Sequence, residues 1–246
     1  MTEQKTIEQK VSVIRNTTLI GELVDVTLPV PDVAEVDATS FDSPSMIEQV
    51  IAGWIKQGQA KFTMNYLPIT SHDALINNVY ARATDLWTFV LPTSGRGYSF
   101  SGFLKNVDEK IPLKDGHQLT VTVTPQTQKT QLTTVSAGLA TTFISFTNQA
   151  DEAITAFTPT PAAAATTEYF VTSFTDDTGI KITPVFSAGT CYVNGTSVAT
   201  GVASAAITIG TTVGSITNIP VVVWESAKVP KVYWVRVTHG TVESPT

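Results

Sequence analysis

The 246-residue chain contains one cysteine, three histidines and no run of basic residues. A lone Cys191 excludes an intrachain disulfide and a cysteine-type structural zinc site. His72, His117 and His239 stand far apart, none at ligand spacing from another, so no metal centre is expected. Charged residues make up only 15% of the chain, and Asp plus Glu (21) outnumber Lys plus Arg (15), giving a formal net charge of −6. Affinity for phosphates comes mostly from Lys and Arg, so this acidic chain is not expected to grip nucleic acid. No run of about 18 apolar residues occurs, so no membrane-spanning helix is expected. The polar opening Met1-Thr2-Glu3-Gln4-Lys5 lacks the apolar core of a signal peptide, and no cleaved leader is expected.

Catalytic patterns are equally scarce. Asp177-Thr178-Gly179 matches the aspartic-protease triplet, but that chemistry needs two such carboxylates in apolar surroundings. A single copy after Asp176 reads as a hairpin turn. Gly95-Arg96-Gly97 lacks the spacing of a phosphate-binding glycine loop and reads as a strand connection. Asn194-Gly195-Thr196 is a turn signal that also fits a glycosylation sequon. Cys191 sits inside a strand pattern as a small hydrophobe. No enzyme activity and no cofactor are expected.

Hydrophobic residues, at 42%, suffice for a core, and their period is mostly two. Phe62, Met64 and Tyr66 alternate with Lys61, Thr63 and Asn65. Trp87, Phe89 and Leu91 alternate with Thr88 and Val90. Leu119, Val121 and Val123 alternate with Thr120, Thr122 and Thr124. Each run predicts a strand with one buried face. One helix is predicted over about 71–83, with Leu75/Val79 and Ile76/Tyr80 four apart and a capping-box-like start at Thr70 and Asp73. Residues 131–246 hold only four of the basic and seven of the acidic residues but 24 threonines. This shift, with the polar, Pro-containing stretch 124–130, predicts a domain boundary near 130. The second part reads all-β. Short runs lie at 170–174, 180–185, 191–193, 206–209, 221–224 and 232–237, with turns at 176–179 and at Asn194-Gly195. Spacing of this kind predicts an antiparallel sandwich. The fold class expected is mainly β: a first sandwich or barrel with one short helix, then a second sandwich.

The ordered segments between 21 and 126 resemble the tail tube proteins of long-tailed bacteriophages. Asp37-Ala38-Thr39-Ser40-Phe41-Asp42-Ser43 is similar to that family's segment before its long loop. Residues 47–55, from Ile47 through Gly53 to Ile55, resemble the loop itself. Phe62-Thr63-Met64-Asn65-Tyr66-Leu67-Pro68 looks like the strand that follows. The helix, the strand at 87–91, Tyr98-Ser99-Phe100-Ser101-Gly102-Phe103-Leu104, then Pro112, Asp115 and the threonine-rich strand come in the family's order. Residues 131–246 resemble an immunoglobulin-like or cadherin-like sandwich through Tyr169-Phe170-Val171, Val193-Asn194-Gly195-Thr196 and Tyr233-Trp234-Val235-Arg236-Val237. A Cys…Trp…Cys pattern is missing, so an antibody-type domain is not expected.

The resemblance implies a structural virion protein, located in the tail and assembled in the host cytoplasm, that forms stacked hexameric rings through which the genome passes. Four strands from each of six subunits, about 4.8 Å apart, give a wall about 37 Å or more across, wide enough for duplex DNA. It implies a tube domain over 1–130, with an N-terminal arm at 1–20 and a stacking loop at about 43–58, and a decoration domain over 131–246. Met46, Ile47, Val50, Ile51, Trp54 and Ile55 are the expected ring-stacking residues, because an apolar stretch in a loop marks an interface. Lys61, Thr63, Asn65, Thr120, Thr122 and Thr124 are the expected lumen-facing residues. The implied partners are further copies of the chain, a tape measure protein, and tail terminator and tail tip proteins. Genomic DNA would pass without specific binding, and no membrane is involved. The alternative is a β-sandwich adhesin or fibre-type protein that recognises a host surface.

Overall fold

The computed structural model describes residues 11–21, 23–37, 50–67, 70–91, 95–111, 116–158 and 167–241. Its elements are mainly β. The first are β1 (Ser12–Arg15), β2 (Thr18–Ile20), β3 (Leu23–Thr27), β4 (Asp32–Asp37), β5 (Val50–Lys56) and β6 (Ala60–Asn65), followed by helix α1 (Thr70–Asn78). Next come β7 (Thr84–Leu91), β8 (Arg96–Lys110), β9 (Gln118–Pro125), β10 (Thr130–Leu132) and β11 (Leu139–Asn148). The chain ends with β12 (Phe157–Thr158), β13 (Glu168–Ser173), β14 (Gly179–Phe186), β15 (Thr190–Val193), β16 (Thr196–Val198), β17 (Ile207–Thr208), β18 (Ile216–Trp224) and β19 (Lys231–His239). An eight-stranded sheet has the order β2-β1-β7-β8-β9-β6-β3, with β10 joined to β8. Among the described residues, no helix is long and apolar enough to cross a membrane.

Two compact units divide the chain. One comprises Ile20–Thr88 and Ser99–Thr130; the other comprises Met1–Leu19, Phe89–Tyr98 and Gln131–Thr246. In the first, the expected alternation is realised. Phe62 and Met64 on β6, and Leu119, Val121 and Val123 on β9, are almost wholly buried. Phe62 meets Trp87 with ring centroids 5.9 Å apart, and Trp87 Nε1 donates to Gly102 O at 3.2 Å. An indole in a core needs such an acceptor, because its donor cannot reach water. The helix ends at Asn78, short of the predicted 83, and residues 79–82 form a turn in which Arg82 takes a φ of 51°. The apolar stripe does not hold it to the end: Leu75 is fully buried, while Tyr80 is 87% exposed. Strand β7 departs from a one-sided pattern, since Trp87, Thr88, Phe89 and Val90 are all buried.

In the second unit two sheets face each other. One has the order β11-β14-β17 and the other β12-β13-β19-β18-β15-β16, with β13 parallel to β19. Side chains from both fill one core, including Phe146, Ile180 and Ile182 from the first and Tyr169, Cys191, Val221 and Val235 from the second. The predicted turn at Asn194-Gly195 joins β15 to β16, with φ of 49° and 80°, the left-handed pair that a two-residue hairpin requires. The low-complexity stretch 159–166 lies outside the described residues.

A second cluster holds β1 and β2. Ile14 and Leu19 are buried together with Val90, Leu132, Val222 and Val229, and Tyr192, Trp224, Val232 and Trp234 pack around them. The sequence 12–20 carries this in its apolar Val13-Ile14 and Leu19-Ile20, split by a turn at Asn16 with φ of 53°. Residues 1–10 lie outside the described residues. Ile14 is fully buried, so Ile14→Ala should lower unfolding stability by about 2–5 kcal/mol. Urea unfolding followed by tryptophan fluorescence measures this, and a change under about 1 kcal/mol would remove these strands from the core.

Candidate functional site: a polar sheet face and an apolar ribbon

Two surfaces of the Ile20–Thr88/Ser99–Thr130 unit carry residues singled out in the sequence. The first is built by four neighbouring strands, β3, β6, β9 and β8. Cross-strand partners in a pleated sheet share a face. Lys61 pairs with Thr122 and Thr27, and Thr122 with Asn106. Thr63 pairs with Thr120 and Asp25, and Thr120 with Asp108. Asn65 pairs with Gln118, and Gln118 with Lys110. The structure thus brings Lys61, Thr63, Asn65, Thr120 and Thr122 onto one polar face, with Thr124 beside Phe103 further along it. Thr63 and Thr120 hydroxyls are 3.2 Å apart, and Gln118 Nε2 donates to Asn65 Oδ1 at 3.4 Å. Thr122 is buried at 6% exposure, whereas Lys61 and Asn65 are exposed.

The other face of the same strands is the core face described above, so the polarity is divided by the pleat. Charges on the polar face balance: Lys61 and Lys110 against Asp25 and Asp108. Sequence reasoning found the β6 and β9 members through their alternation. It missed Asn106, Asp108 and Lys110, because a break in the β8–β9 register between Leu104 and Asn106 disrupts the period there, and Asp25, because β3 has its own break between Leu23 and Asp25.

The second surface is a two-stranded antiparallel ribbon of β4 and β5, in which Val33 pairs with Ile55 and Val36 with Ile51. The segment 50–56, read as part of a long loop, is a strand. Val50, Ile51, Trp54 and Ile55 are 49%, 55%, 86% and 63% exposed. Val30, Val33 and Val36, missed in the sequence, add 71%, 48% and 42%. A two-stranded ribbon has no second layer to cover its side chains, so both of its faces stay open. Met46 and Ile47 lie outside the described residues. Gly53 sits where the ribbon strands come closest: a Cβ there would stand 2.6 Å from Val36 Cγ2 and 2.8 Å from Ala34 O. Asp32, Glu35 and Asp37 are exposed or half-exposed along β4, with Lys56 opposite Asp32.

The titratable groups singled out in the sequence are each held in local contacts. Tyr66 donates to Asp73 Oδ1 at 2.6 Å, and this bond, aided by partial desolvation, raises its phenol above the ordinary range. The His117 ring lies tilted against Tyr66 with centroids 4.4 Å apart, and its Nε2 lies 3.5 Å from Glu109 Oε2. His72 is fully buried and accepts Leu67 N at 3.0 Å, which ties the helix to the end of β6. Asp177, whose carboxyl burial pushes upward, accepts Phe174 N at 2.8 Å in the predicted turn. His239 Nε2 lies 3.1 Å from Thr175 O on the same unit. Among the described residues no three His, Cys, Asp or Glu side chains gather to hold a metal.

Parts of this chain are similar to solved structures at low identity. The tail of an empty gene transfer agent particle, refined with C6 symmetry, matches 50% of this chain and 93% of its own, at 9% identity and a TM-score of 0.42. The sheath/tube terminator of an extracellular contractile injection system matches 53% and 99%, at 11% identity and 0.42. The SPP1 tail tube matches 51% and 77%, at 8% identity and 0.41. No family model and no curated protein matches the sequence.

Cys191 is fully buried, and desolvation pushes its thiol up to about 12. A thiol that is neither ionised nor reachable does not attack a disulfide reagent. Labelling by a disulfide reagent at pH 8 should therefore be negligible in the native protein and complete in denaturant. Rapid native labelling would show that the sandwich core opens.

Proposed function

We propose that the chain is a tail tube subunit: it assembles into hexameric rings, the rings stack, and the genome passes through the lumen. The observation that carries this reading is the division of β3-β6-β9-β8 into a core face and a charge-balanced polar face. It is joined by the sequence resemblance over 21–126. Four strands per subunit match the wall required of six copies. The polar face, with Lys61, Thr63, Asn65, Thr120, Thr122 and Thr124, lines the lumen. Equal numbers of acids and bases there neither hold the duplex through counterion release nor repel it strongly.

The apolar ribbon is the stacking contact, through Val50, Ile51, Trp54 and Ile55, and Met46 and Ile47 of the preceding segment are assigned to the same contact. It leaves the sheet at the Thr27/Ala60 end. At the opposite end, near Asn65 and Lys110, Leu67 and Ile111 are 41% and 73% exposed. A donor at one end and an acceptor at the other make a head-to-tail contact, which propagates instead of closing. Within the tube domain proposed over 1–130, the Ile20–Thr88/Ser99–Thr130 unit supplies the wall, and 131–246, the bulk of the other unit, is an immunoglobulin-like decoration domain. Partners are further copies of the chain, a tape measure protein, and terminator and tip proteins, within the virion tail. No catalysis is assigned.

Negative-stain microscopy of the purified protein should show sixfold rings or tubes; monomers or trimers at high concentration would overturn the reading in favour of an adhesin. Replacing Ile51 and Trp54 by Asp should leave circular dichroism near wild type but abolish stacking, because burying unpaired charge costs several kcal/mol. Normal tubes from that variant would remove the ribbon from the contact. Assembled rings should show no measurable duplex binding near physiological salt, about 0.15 M. Salt-sensitive binding with a steep slope would show a basic lumen.

A further inference from the structure

The segment that leads into the sandwich, residues 133–138 between β10 and β11, has the polar, Gly-containing composition of a tether. It is nevertheless held along its length. Val135 makes a parallel bridge with Val229. Ser136 N donates to Val229 O at 2.9 Å, and Val229 N donates to Thr134 O at 2.7 Å. The turn between β18 and β19 closes over it: Glu225 N donates to Ser136 Oγ at 3.1 Å, and Glu225 Oε1 accepts Ala137 N at 2.5 Å. Lys228 Nζ lies 2.5 Å from Glu225 Oε2, which holds the carboxylate in place. Leu139 N then donates to the Tyr233 hydroxyl at 2.9 Å. Gly138, with a φ of +82°, crosses directly under that hydroxyl, and a Cβ there would collide with it. Directly beside this clasp, Val229 is one of the residues that bury Ile14 and Leu19.

We infer that residues 133–139 are a latch, closed by the Glu225 carboxylate, that makes the sandwich and the strands β1, β2 and β10 one cooperative body instead of a module on a flexible tether. This inference concerns how the second unit is held and does not depend on the tail reading. The chemistry is that of a charge-assisted clasp. One carboxylate takes a backbone N–H and an ammonium at once, and bonds of this kind are roughly twice as strong as neutral ones. The ion pair alone, half-exposed at Lys228, would contribute little. Its use is to orient the carboxylate onto Ala137.

The Lys228 bond, and then the Ala137 bond, hold the Glu225 carboxyl below its ordinary range. The charged group against it is Lys228 on its own turn, while Lys231 lies beside Gly138 further along the segment. Because the folded value is depressed, the latch's contribution is fully present above the ordinary glutamate range near 4.5 and is lost as pH falls through the folded value below it.

Hydrogen exchange on the full-length protein tests this. Peptides covering 133–139 should exchange at least about a hundredfold more slowly than an unstructured chain. Glu225→Ala should release most of that protection while leaving β6 and β9 unchanged. Glu225→Gln, which keeps an acceptor for Ala137, should retain part of it, and Ser136→Ala should loosen only the Glu225 side. Wild-type exchange at unstructured rates would overturn the latch. So would full protection of 133–139 in Glu225→Ala, or protection that survives well below pH 4.

Discussion

On β6 and β9, Lys61 stands opposite Thr122 and Phe62 opposite Val121. Side chains alternate strictly, so a slip of one residue would send Lys61, Thr63 and Asn65 into the core and Phe62 and Met64 out of it. The cost of burying a lysine without a partner makes that register the one on which the unit depends. Everything placed on either face inherits it: Asp25 and Thr27 through β3, and Asn106, Asp108 and Lys110 through β8. The core face then accepts Trp87, while among the paired positions named for the polar face Phe103 is the apolar one.

The ribbon is the opposite case. It gains almost nothing from its own burial, and its pairing rests on backbone bonds and on the close approach at Gly53. A segment with Trp54 at 86% exposure is held in the sequence against the solvation of an isolated chain. Surfaces of this kind are retained where a partner covers them. In the tube proposed above, the balanced polar face and the uncovered ribbon would do different work: one would avoid tight contact with a charged polymer, and the other would meet an apolar surface.

Much of this was legible in the sequence. The alternation at 60–65 and 118–124, the turn at Asn194-Gly195 and the mainly β class follow from period and turn chemistry. Three things were not legible, for physical reasons. Residues 12–20 are short and polar-flanked, and their burial depends on Val222 and Val229, some two hundred positions away. Residues 50–56 have apolar side chains on both faces, so their strand has no period of two to reveal it. The lead-in at 133–139 reads as a linker because its bonds are made to backbone atoms and to Glu225, which local composition cannot show.

Of the four outer strands of the sandwich sheets, β11 has ten residues and the other three are short. Strands β12 and β17 have two residues each and β16 has three. A strand of that length offers too few open N–H and C=O groups to capture a foreign chain. A subunit that polymerises, as proposed above, would face the hazard that its sheets polymerise the wrong way. Three of these four margins give a growing β-aggregate little to extend from, which leaves β11 as the one long edge to be kept covered.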